Sequence, residues 1–183
     1  MNTRRLVALS IMALAAAPLA LCGQDARITA RFTPVVAAHL NATIDSASSE
    51  GLPAEPLVLR ALEGQAKGAT ADQIVAALSR LRDALRTARV ALGSTATPTD
   101  LMTAAAALQL GMPPSRLTEL RQLRGDRGIG APLTAYLDLT ARGVSADRTW
   151  DRISDLARRR ASDADFGRLT PRDVDHQRDE DWP

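Results

Sequence analysis

The chain has 183 residues, of which 45% are hydrophobic and 24% charged, with 23 basic against 21 acidic side chains. A single cysteine rules out an internal disulfide, and two histidines leave too few nitrogen and sulfur ligands for a zinc centre. Five scattered rings (Phe32, Tyr136, Trp150, Phe166 and Trp182) argue against the stacking platforms used for sugars and single-stranded nucleic acids.

The chain opens with Arg4 and Arg5, followed by the uncharged run Leu6 to Ala17, Pro18, and Leu19-Ala20-Leu21-Cys22-Gly23. A basic start, about a dozen apolar residues and small residues at the end predict a cleaved export signal over residues 1–22. The run is shorter than the ~20 residues a membrane span needs, so a retained anchor is disfavoured. Ala20 and Cys22 place the preferred cut between Cys22 and Gly23, with cuts after Ala20 or Gly23 as alternatives. Leu19-Ala20-Leu21-Cys22 resembles a lipobox, but bulky Leu21 stands where Ala or Gly is wanted, so lipidation of Cys22 is not expected. Without residues 1–22, the mature chain holds no cysteine and 21 basic against 21 acidic residues. Its neutrality removes the electrostatic case for nucleic acid.

Residues 23–169 read as one all-α domain of about eight helices, an irregular bundle or short array. Thr33-Pro34 opens the first mature helix, with Val36, Leu40, Ile44 and Ala47 on one face, and Gly51 ends it. His39, beside that stripe, is expected to be partly buried. The second helix starts near Pro53, carries Pro56 in its first turn and buries Leu57, Ala61, Val58, Leu62 and Ala66. The third has capping-box spacing at Thr70 and Gln73. Predicted from about Ala71 to Leu92, it spans about 33 Å and carries the stripe Ile74, Leu78, Leu81, Leu85, Ala88 and Leu92. Three heptads put it at the lower limit for a coiled coil.

Residues 51–78, from Gly51-Leu52-Pro53-Ala54-Glu55-Pro56-Leu57 through Ala61-Leu62-Glu63-Gly64 and Lys67-Gly68 to Leu78, resemble a segment of exported all-helical bacterial proteins of unknown function. Arg60 stands where that pattern has lysine. The resemblance covers residues 30–92 best. It implies an exported helical protein and brings no activity, cofactor or catalytic residue with it.

Thr97-Pro98 begins a fourth helix with Leu101, Ala104, Ala105 and Leu108, whose alanine run invites close approach of a neighbour. Pro113-Pro114-Ser115 begins a fifth, with Leu117, Leu120 and Leu123. Gly125 to Gly130 is predicted to be the most flexible internal connection. The sixth helix is predicted over 132–142, with Leu133, Tyr136 and Leu137 inward. Ser145 caps a seventh, with Trp150, Ile153, Leu156 and Ala157 inward, and Ser162 caps a short eighth. From Thr170 onward, a charged chain almost free of aliphatics predicts a disordered tail over 170–183. A turn recurs between helices at Gly51-Leu52-Pro53, Gly68-Ala69-Thr70, Gly111-Met112-Pro113 and Gly143-Val144-Ser145, with a glycine-free counterpart at Arg160-Ala161-Ser162. Its steps of 17, 43, 32 and 17 residues fit no common repeat length.

Chemical motifs are few. His39 and His176 have no metal-ligand spacing, and Asp163-x-Asp165 lacks the glycine and glutamate of a calcium loop, as does a frame begun at Asp173. Asp163 and Asp165 read as first-turn acids of the last helix, and Arg158-Arg159-Arg160 as cations at a helix C-terminus. Gly64 to Gly68 and Gly128-Ile129-Gly130 match neither a phosphate loop nor a dinucleotide fingerprint. Glu55, Glu63 and Glu119 are the carboxylates a hydrolase would draw on, and exposed helix glutamates describe them better. No catalytic, cofactor or metal residue is therefore assigned. The sequence predicts a periplasmic or secreted non-catalytic module that binds another envelope protein. A groove carrying a lipid or other apolar small molecule is the alternative, and a carboxylate hydrolase the second.

Overall fold

Residues 25–175 are described by a computed structural model, and among them the chain forms ten helices and no strand. The helices are α1 (Ala26–Thr29), α2 (Pro34–Ser49), α3 (Glu55–Ala66), α4 (Ala71–Leu92), α5 (Pro98–Gln109), α6 (Pro114–Arg124), α7 (Gly130–Ala141), α8 (Ala146–Arg158), α9 (Asp163–Gly167) and α10 (Pro171–Asp175). None is long and apolar enough to cross a membrane. The expected signal segment 1–22, the tail histidine His176 and the acids Asp179, Glu180 and Asp181 lie outside the described residues.

Local chemistry sets most boundaries. Thr70 and Gln73 close a reciprocal capping box on α4, Thr70 N–H donating to the Gln73 amide oxygen at 2.9 Å. Thr97 and Asp100 do the same for α5. At the other ends, the recurring turn has one geometry. After α2, Gly51 N–H donates to Ser48 O at 3.0 Å and Leu52 N–H to Ala47 O at 2.9 Å. These bonds satisfy two otherwise orphaned carbonyls and require a left-handed residue at Gly51, whose φ is 70°. The same bond pair ends α3, α5, α7 and α8. In the last of these the left-handed position is Arg160, with φ 60°, the one non-glycine with positive φ among the described residues. The apolar residue that follows turns inward, most completely at Leu52 and Met112.

α4 is the axis of the fold and packs against α2, α3, α5 and α6. All six residues of its predicted stripe are buried. Ala104, Ala105 and Ala107 of α5 are fully covered, which brings α5 close to both α4 and α7. α7 then carries α8 and α9, closing a continuous core that includes Tyr136, Trp150, Ile153 and Phe166.

Five expectations need correction. α1, a single turn capped by Asp25 and anchored by buried Ile28, carries too short a pattern to show periodicity. α7 begins at Gly130 rather than 132, with Pro132 inside its first turn. The expected tail does not begin at 170. Thr170 N–H and Oγ1 donate to the Asp173 carboxylate at 2.8 and 2.6 Å, opening α10, and Val174 is buried where α10 meets α8. His39 is exposed, because α2 turns Ala37, Leu40, Asn41 and Ile44 inward instead. Ala66, at the frayed end of α3, is exposed as well.

Candidate functional site

An apolar hollow lies between α3 and α5 over the middle of α4. Its volume is about 510 Å³, and Pro56, Leu59, Leu81, Met102 and Ala106 supply its apolar surface. A second lobe of about 200 Å³ continues it along α3 to Lys67, Ile74 and Ala77. Arg60 and Glu63 border both lobes. Leu81 is only 8% exposed on the floor, whereas Leu59 on the wall is 53% exposed.

The sequence builds this groove through spacing. Leu57, Val58 and Ala61 use the inner side of α3 to hold α4, which leaves Leu59, Arg60 and Glu63 on the outer side. Gly64 lets α3 approach α4 closely, since a Cβ there would stand 2.8 Å from Ile74 Cγ1. Along the rim, Lys67 Nζ donates to Glu63 Oε1 at 2.5 Å and Arg60 Nη1 to Glu63 Oε2 at 3.2 Å. Lys67, and then Arg60, hold the Glu63 carboxyl below its ordinary pKa and keep it ionised.

The other candidate carboxylates are dispersed. Glu55 accepts two bonds from Arg27, at 2.8 and 2.7 Å, and its pKa is likewise lowered by that guanidinium. Glu119 of α6 pairs with Arg158 at 2.9 Å. No two of the three share a cation, and the lowered pKa of Glu55 and Glu63 is the wrong direction for a general acid at neutral pH. Asp163 and Asp165 stand in the first turn of α9, where Asp165 accepts from Ser162 N–H at 2.8 Å and Ser162 Oγ at 2.7 Å. Of the arginine run, Arg158 reaches Glu119 and Arg159 reaches Asp155, while Arg160 supplies the left-handed turn. Among the described residues, no group of three or more His, Cys, Asp or Glu could hold a metal ion.

Sequence reasoning missed Arg124. Its side chain is 1% exposed at the end of α6. Nε donates to Gly128 O at 3.1 Å, Nη1 to Ala161 O at 2.9 Å and Nη2 to the Asp163 carboxylate. The guanidinium also faces the Phe166 ring, 5.1 Å from its centroid. Arg127 adds bonds to Arg160 O at 2.7 Å and Ala161 O at 3.2 Å. The 125–130 connection, predicted to be the loosest, is therefore tied across to the α8–α9 turn, with Ile129 buried beneath it. An arginine at the last position of a helix carries no sequence mark that separates this role from a solvated cation.

No protein-family model, curated protein or solved structure matches this chain.

Proposed function

We propose that this protein is a non-catalytic binding or scaffold module of the bacterial envelope, exported by its N-terminal signal, with the α3–α5 groove as its binding surface. The observation that carries the reading is the groove itself: an apolar floor and a half-exposed Leu59 beside a rim of ion-paired side chains. The separated, ion-paired glutamates support a non-catalytic role. A second reading, a carrier of an apolar small molecule, is favoured by the groove volume of about 510 Å³, which falls in the range of ligand sites.

The test is affinity capture of the tagged chain from its native envelope, alongside the groove variant Leu59→Asp. The expected result is one stoichiometric polypeptide retained by the wild type and lost by the variant. A tightly held lipid with no polypeptide would select the carrier. A polypeptide retained equally by both proteins would place the binding surface elsewhere.

A further inference from the structure

We propose that the occupant of the α3–α5 groove is an amphipathic helix of a partner polypeptide, its apolar side on Leu81 and Leu59 and an acidic side chain toward Arg60 and Lys67. This rests on the binding-module reading above and adds the chemistry of the partner.

Shape gives the first argument. α3 and α5 each join α4 through connections of only four and five residues, so both run antiparallel to it and parallel to each other. Both pack on α4 yet scarcely touch one another. The hollow is the gap left between the first half of α3 and the second half of α5 over Leu81. From Pro56 to Lys67 the α3 wall runs about 16 Å, or three helical turns. That length seats anchors at i, i+3 or i+4, and i+7 of an incoming helix. Ala106 on the opposite wall leaves room for close backbone approach, and Met102 can adapt its side chain to the occupant.

Charge and topography give the second. On the α3 wall Arg60 and Lys67 share the single carboxylate of Glu63, leaving one positive charge in excess, while the α5 wall offers only Gln109. An incoming Glu or Asp completes an alternating row of four charges. The Arg60–Glu63 pair crosses the junction of the two lobes, so an acyl chain lying along the groove would have to pass over an ion pair. A helix straddles it, with apolar anchors on either side.

The probes are two synthetic helical peptides with the same leucine stripe, differing only in Glu or Lys at the flanking positions, titrated by fluorescence anisotropy. The Glu peptide is expected to bind about fivefold tighter at low salt, with the preference shrinking as salt rises. Arg60→Glu combined with Lys67→Glu should invert the preference. Leu59→Asp, at a half-exposed position outside the buried core, should weaken both peptides about tenfold. Equal affinity for the two peptides, or a preference that survives the double reversal, would overturn the acidic helix while leaving the groove reading intact. Peptide binding untouched by Leu59→Asp would remove the groove reading as well. Failure of both peptides to bind, with a fluorescent fatty acid held instead and released by Leu59→Asp, would replace the helix with a lipid.

Discussion

Replacing Arg124 with methionine removes the side chain that ties α6, the 125–130 connection and the α8–α9 turn together, while keeping most of its volume. Three hydrogen bonds from a charged donor, at about 1.5–3 kcal/mol each, give a gross loss of about 5–9 kcal/mol. Against this, methionine avoids the several kcal/mol that desolvating a guanidinium costs. Two features place the net near the lower end of the ~3–5 kcal/mol typical of a broken buried pair. Asp163 is 65% exposed and returns to water instead of being stranded, and Ala161 O keeps its bond from Arg127. A loss of about 3 kcal/mol corresponds to a Tm lower by about 6–12 °C for a domain of this size. Asp163→Asn should cost only about 1 kcal/mol, because Arg124 keeps both carbonyl acceptors. Thermal and urea unfolding followed by far-UV circular dichroism measures both. A loss below about 1 kcal/mol for Arg124→Met, or an equal loss for Asp163→Asn, would show that the carbonyl contacts do not hold these elements together.

Three further outcomes follow from single contacts. Gly64→Ala gains about 1 kcal/mol of helix propensity but drives a methyl against the branched Ile74, whose overpacking costs about 1–3 kcal/mol. A net destabilisation up to about 2 kcal/mol is expected in urea titration, and in an Ile74→Ala background, itself less stable for the loss of a buried side chain, the same Gly64→Ala step should no longer destabilise. Arg160→Gly removes the left-handed strain of a side-chain-bearing residue and should raise the Tm by about 2–4 °C; an unchanged or lower Tm would contradict that strain. Glu50 is held down to about 2 from an ordinary 4.5 by Arg86 and then Arg82. Because the folded value is the lower one, its contribution is complete above about pH 4.5 and is lost as pH falls towards 2. Tm measured across that window should fall less steeply for Glu50→Gln than for the wild type, and parallel curves would refute the assignment.

The start and stop residues were legible because they act within a few positions of themselves. Thr70 with Gln73, Thr97 with Pro98, and the five recurring turns all satisfy neighbouring backbone groups, so α4 could be bounded at Ala71 and Leu92 from spacing alone. α10 was legible too, had one signature been followed: Thr170-Pro171-Arg172-Asp173 repeats the pattern of Thr97-Pro98-Thr99-Asp100. The low aliphatic content of the tail outweighed it, although one buried Val174 is enough to seat a single turn. The orientation of His39 was misjudged because α2 is apolar on several sides, and periodicity alone leaves its buried face ambiguous.

What the sequence determined by itself is therefore the inventory: helical rods, their lengths and punctuation, and the stripe of α4 that must leave water, all set by interactions between near neighbours. The tertiary structure decided which arginine became a buried staple. It also decided that α3 and α5 stand apart over Leu81, so that the groove exists at all. Those outcomes depend on where residues about 20 to 40 positions apart come to rest, as with Arg124 and Asp163 or Leu59 and Leu81. Such distances are fixed only when the helices pack, and no local pattern encodes them.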